Sequence, residues 1–67
     1  MKGIETLGVI VAQHRNCFEV RIDQGPIVSA VESGRIRKAN IWLTLGDRVT
    51  VELSPYEMPK GRITRRL

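Results

Sequence analysis

The chain has one cysteine, Cys17, and one histidine, His14, among 67 residues. A lone thiol forms no internal disulfide, and small secreted domains usually need several. The pair also falls short of the three or four ligands a metal ion takes, so no metal site is expected. A nucleophile with its base would need a third group to orient it, and none stands near these two, so no catalysis is expected either. Cys17 reads instead as a small apolar residue at the start of a strand. No apolar run approaches the roughly 20 residues of a membrane span. The start, Met1-Lys2-Gly3-Ile4-Glu5, has no apolar stretch of the kind a signal peptide carries. No repeat or low-complexity segment is present. The glycines at 25, 34, 46 and 61 fall singly at turns or bends and form no phosphate-binding loop. These absences lead to the expectation of a complete, soluble, intracellular protein with no cofactor and no membrane partner.

What is present is charge, unevenly spread. Residues 33–67 carry eight cations (Arg35, Arg37, Lys38, Arg48, Lys60, Arg62, Arg65, Arg66) against Asp47, Glu52 and Glu57, a net +5. Residues 1–32 have a net charge of −1, so the whole chain stands at +4. A one-sided field on a small rigid body favours a polyanion, and nucleic acid is the first to consider. The length allows a single domain, residues 1–67, with a small core and no deep cleft.

The hydrophobic pattern is that of short strands. Gly8 to Gln13 is a β-branched apolar run, and His14-Arg15-Asn16 reads as a turn. Phe18 to Asp23 alternates strictly, with Phe18, Val20 and Ile22 inward. Gln24-Gly25-Pro26 is a turn, and Ile27 to Val31 a third strand. Arg35 to Leu43 does not alternate and fits a helical turn or short irregular helix. Leu45-Gly46-Asp47 is another turn, and Arg48 to Leu53 alternates with Val49, Val51 and Leu53 inward. Ser54 to Pro59 reads as a loop. Lys60 to Arg66 begins as a last strand, with Lys60, Arg62 and Thr64 outward, and ends as a frayed basic tail at Arg65 and Arg66. Five short antiparallel strands with a helix between the third and fourth form the all-β OB-fold barrel. An SH3-like barrel has a similar strand count, but the helix position favours the OB fold.

Three runs carry a resemblance. Ser33-Gly34-Arg35-Ile36-Arg37-Lys38, Gly46-Asp47-Arg48-Val49-Thr50-Val51-Glu52-Leu53-Ser54-Pro55-Tyr56, and Lys60-Gly61-Arg62-Ile63 together resemble the bacterial and plastid translation initiation factor 1 family, from about Ile4 to Arg66. The resemblance implies a single S1-like OB domain without catalytic activity or cofactor. It implies binding to the decoding site of the small ribosomal subunit, contact with rRNA and a neighbouring ribosomal protein, and cooperation with the other initiation factors. It further implies a cytoplasmic location, or a plastid stroma. Four features depart from the family pattern: a first hairpin one residue short, Glu32, Asn40 and Trp42. The last two lie in the segment the family uses against RNA, which suits a divergent or organelle-type member, or a second copy.

The RNA-binding candidates are Arg35, Arg37, Lys38, Asn40, Trp42, Lys60, Arg62, Arg65 and Arg66. Each cation that meets a phosphate releases counterions, although a basic run also serves simply as a solvated face. Trp42 either stacks on an unpaired base or packs the helix on the barrel. Asn40 either meets RNA or caps the helix. Phe18 reads as core in preference to a stacking ring, and Tyr56 as a packing residue whose hydroxyl finds a backbone partner, with RNA contact as its other reading. Two rival functions remain. A generic single-stranded nucleic-acid chaperone of the cold-shock type would carry clustered aromatics, whereas Phe18, Trp42 and Tyr56 are dispersed. A protein-interaction module would turn the basic face to an acidic partner. A monomer is expected at this size.

Overall fold

The computed structural model describes residues 3–23, 25–54, 56 and 60–67. Five strands and one helix run in the order β1 (Ile4–Gln13), β2 (Phe18–Ile22), β3 (Ile27–Glu32), α1 (Gly34–Lys38), β4 (Arg48–Leu53) and β5 (Lys60–Arg66). The strands close into a barrel in the order β1-β2-β3-β5-β4, and closure removes the open edges a flat sheet would have. Four of the pairings are antiparallel; β3 and β5 run parallel, and that pairing completes the closure. This is the OB-fold layout, with one parallel seam that alternation alone does not reveal.

The core follows from period two. Ile10, Phe18, Val20, Ile22, Val28, Ala30, Val49, Val51 and Ile63 point into the barrel, and Ile36 and Leu43 close it from the side of the helix and loop. Burying each of these side chains other than Ala30 contributes about 1.5–3 kcal/mol. Gly8 sits where a Cβ would come within 2.6 Å of Val20 Cγ1 and 2.8 Å of the Arg21 carbonyl oxygen. Only hydrogen fits there, and this lets β1 lie close on β2.

Three boundaries differ from the sequence reading by more than one residue, while β2 stops one residue early at Ile22 and β3 runs one further to Glu32. β1 begins at Ile4 rather than Gly8, because Ile4 to Val9 pair along β4; the exposed Ile4 and Glu5 hide the alternation. The helix stops at Lys38 rather than reaching Leu43. Its end is a Schellman turn: the Asn40 N–H donates to the Arg37 carbonyl at 3.2 Å and the Ile41 N–H to the Ile36 carbonyl at 3.2 Å. Asn40 takes the left-handed conformation at φ 54° that this turn requires. Last, Arg65 and Arg66 do not fray. They pair with Thr50 and Val49, and the Leu67 N–H donates to the Arg48 carbonyl at 2.8 Å. The loop expected over Ser54 to Pro59 falls largely outside the described residues, as does Gln24 of the second turn.

The Asn40 turn yields a stability prediction. Asn40→Ala places an ordinary side chain in the left-handed region and is expected to cost about 1 kcal/mol. Asn40→Gly keeps or slightly raises stability. Urea midpoints of the two variants decide this; equal midpoints would show that the backbone at residue 40 carries no strain.

Candidate nucleic-acid interface

The cationic helix is short and needs outside support. Ser33 caps it, its Oγ accepting from the Ile36 N–H at 3.3 Å, a contact worth about 1 kcal/mol. The Ser33 N–H in turn donates to the Ile63 carbonyl at 3.0 Å, which ties the cap to β5. Ile36 is fully buried and anchors the helix, which lies against β3 and β5. Arg35, Arg37 and Lys38 are thereby left exposed on a fixed platform. Among the described residues, none of the three takes part in an ion pair. The positive ends also face the negative C-terminal pole of the helix, a mildly favourable placement.

The loop after the helix alternates, although the longer window around it does not. Ile41 and Leu43 turn inward against the core, so Trp42 between them must turn outward. Its side chain is 80% exposed. Packing of the indole against the barrel, one of its two sequence readings, is therefore excluded. The loop is nevertheless held. Arg66 Nη1 donates to the Trp42 carbonyl at 2.8 Å, and Asp47 Oδ2 accepts from the Thr44 N–H at 3.0 Å. Gly46, at φ 89°, supplies the positive-φ turn and donates its N–H to the Ile10 carbonyl at 2.8 Å. Arg66 thus joins the tail of β5 to the Trp42 loop.

The β5 cations are aimed by a bulge. Strict alternation from Gly61 and Ile63 would turn Arg65 into the core. The register instead shifts between Thr50 and Val51, so that Val51 opposes Ile63 and Thr50 opposes Arg65. Thr64 is the extra residue, and its hydroxyl donates to the Thr50 carbonyl at 3.3 Å. Arg65 and Arg66 both emerge exposed. A bulge at a barrel rim re-aims side chains in this way.

Two grooves flank this face. One of about 700 Å³ is lined by Asn16, Cys17, Ser29, Tyr56, Lys60 and Arg62, among others. The other, of about 500 Å³, lies between Arg35 and Arg62, with Glu5, Glu52, Ser33 and Thr64. Arg62 Nη2 donates to Glu52 Oε1 at 3.1 Å, so this outward arginine is already paired. Tyr56 is 74% exposed and lines the first groove, and its N–H donates to Ser54 Oγ at 3.2 Å. Asn16 and Ser29 carry no signal in the sequence, because closure of the barrel, not proximity along the chain, brings them beside Tyr56.

Not every cation belongs to this surface. Arg48 donates both terminal nitrogens to Asp23, at 3.0 and 2.9 Å. Those hydrogen bonds, reinforced by the carboxylate charge, hold its guanidinium above the ordinary value. It stays charged and occupied. In the first hairpin, His14 Nε2 meets Glu19 Oε2.

A closed five-stranded barrel with a capped cationic helix, an exposed indole and re-aimed β5 arginines defines a small OB-fold protein with a basic face. Comparison with known proteins narrows the class. The family model described as translation initiation factor 1A / IF-1 matches residues 2–67, and the chain belongs to that family. It is 50% identical over 64 residues to translation initiation factor IF-1 of Oenococcus oeni, an alignment covering 94% of this chain and 89% of the relative. Among solved structures, the initiation factor of the same name from the wolbachia endosymbiont strain TRS of Brugia malayi superposes with a TM-score of 0.80 at 37% identity, covering 96% of this chain and 77% of that one. YjeQ from Thermotoga maritima superposes equally well, TM-score 0.80 at 28% identity and 96% of this chain, but the chain spans only 23% of that protein's length. The family places the protein in translation initiation.

Proposed function

We propose that the protein binds the decoding site of the small ribosomal subunit, where A-site tRNA would otherwise sit, and acts there with the other initiation factors. The observation that carries the reading is the exposed, capped helix of Arg35, Arg37 and Lys38 standing beside the outward Trp42. The helix cations meet rRNA phosphates, and each contact releases counterions. Trp42 stacks on a base displaced from the decoding helix, since duplex RNA offers its own bases poorly. Lys60, Arg65 and Arg66 extend the electrostatic footprint along β5, Arg62 joins them once its pair with Glu52 opens, and Asn40 presents its amide at the helix end. A neighbouring ribosomal protein supplies the remaining contact. The protein works as a monomer in the bacterial cytoplasm.

Co-sedimentation with vacant small subunits across a salt series, with chemical probing of the decoding helix, tests the reading. Saturable one-to-one binding that changes base reactivity there is expected. Affinity no greater than for arbitrary single-stranded RNA would overturn it in favour of a generic chaperone. Trp42 provides a second readout, because it is the sole tryptophan. Its emission is expected to be that of a solvated indole in the free protein and to be quenched on the subunit. Trp42→Ala is expected to lower affinity about thirtyfold, the middle of the range of about 1–3 kcal/mol for one stacked base. Unchanged emission and affinity would remove the indole from the contact.

A further inference from the structure

The two grooves beside the cationic helix share three lining residues, Gly3, Glu52 and Arg62. A polyanion that runs from Lys60 to Arg35 must therefore cross Glu52. This point is not basic. Glu52 lies directly opposite Glu5 on β1 and opposite Arg62 on β5, so one row across three strands reads Glu5–Glu52–Arg62. Like charges directly opposed across a sheet are unfavourable. The Glu52 side chain passes so close over Gly3 that a Cβ there would come within 2.6 Å of Glu52 Cγ. The glycine leaves the carboxylate room to lie back and reach Arg62. The glutamate side chain is 24% exposed and the arginine 62%, so the carboxylate is the sheltered partner and the guanidinium the displaceable one.

We propose that Glu52 is a specificity-determining residue of the RNA face, one that turns flexible single strands away while admitting the distorted target. The inference rests on the RNA-binding reading above. In the free protein Glu52 Oε1 occupies one hydrogen-bonding position of Arg62, at Nη2, that a phosphate would take. Glu5 beside it leaves the row net negative. An unstructured strand brings a phosphate to this point at random and is repelled. A structured RNA with its backbone held away and a base edge turned in meets a carboxylate that accepts hydrogen bonds from an exocyclic amino group. An ion pair at the surface opens at little cost, so Arg62 is released to a phosphate wherever the target supplies one in the right place.

The test compares wild type, Glu52→Gln, Arg62→Gln and the double variant, with urea midpoints to establish that each folds. Two probes are used: a labelled ten-nucleotide oligouridine followed by anisotropy, and vacant small ribosomal subunits followed by co-sedimentation. Glu52→Gln is expected to bind oligouridine about fivefold more tightly. Its log–log salt slope should steepen by about 0.7, the signature of one more phosphate contact on a single strand. Affinity for the subunits is expected to stay within about twofold or to fall, so that the ratio between the two targets collapses. On the Arg62→Gln background most of the gain on oligouridine should vanish. Unchanged oligouridine binding, or an equal rise on both targets, overturns the proposal. If Glu52→Gln does not fold, Glu52→Ala, which removes the charge and frees Arg62, takes its place with the same expected direction. Wild-type protein that ignores the subunits overturns the proposed function itself, while the oligouridine arm still decides whether Glu52 restrains Arg62.

Discussion

Replacing Arg35, Arg37 and Lys38 together by alanine is expected to lower affinity for the small ribosomal subunit by about a hundredfold at roughly 0.1 M salt. The figure follows from counterion release: a contact with a slope near 0.7 contributes about a factor of five at that concentration. Three contacts multiply to about a hundred. The log–log slope should flatten by about 2 at the same time. Stability should change little. All three side chains are exposed and their favourable placement at the helix end contributes only a few tenths of a kcal/mol each. An affinity loss with an unchanged salt slope would mean that the helix acts by shape and not by phosphate neutralisation. No loss at all would reduce the run to a solvated face, and the functional reading would lose its main support.

Ile36→Ala is expected to have the largest effect on the fold. The side chain is fully buried and joins the helix to the barrel core. Truncation removes its transfer energy and leaves a cavity, together about 2–5 kcal/mol. A domain of this length has a total stability near the lower end of about 5–15 kcal/mol. The urea midpoint should fall sharply, and the melting temperature by about 10 °C or more. Ile36→Val, which removes one methylene, should cost about 0.5–1.5 kcal/mol and leave the barrel intact. A loss below about 1 kcal/mol in the alanine variant would show that the helix is held by its Ser33 cap and backbone bonds rather than by its buried anchor. The two variants also separate presentation from charge. A folded Ile36→Val protein with weakened subunit binding but an undiminished salt slope would place the cost in positioning of the cations.

Much of the molecule is legible in the chain because period two is a strong local signal. Phe18, Val20 and Ile22, and Val49 and Val51, are buried as their alternation requires. The bounds of β4 coincide with the expected strand, since its alternation is unbroken and a turn with a positive-φ glycine precedes it. The helix is legible in position but not in length. Its end depends on a left-handed asparagine, and asparagine enters that region without announcing it as glycine does. The two readings of Trp42 differ only in the direction of the side chain. That direction is set by the burial of Ile41 and Leu43 on either side.

Local periodicity, turn chemistry and composition are enough to specify the barrel, its helix and the cations that make one half of the chain basic, while the link to an initiation-factor family rests on the resemblance carried by three sequence runs. They do not say which cations are occupied and which are presented; that came from the closed barrel. Arg48 is taken by Asp23 across 25 positions of chain, and Arg62 by Glu52 across 10. The Thr64 bulge turns Arg65 outward, and Arg66 grips the Trp42 loop from 24 residues away. The physical reason is common to all four. Charge belongs to the residue, but its partner belongs to the pairing register, and the register is fixed only when the strands close.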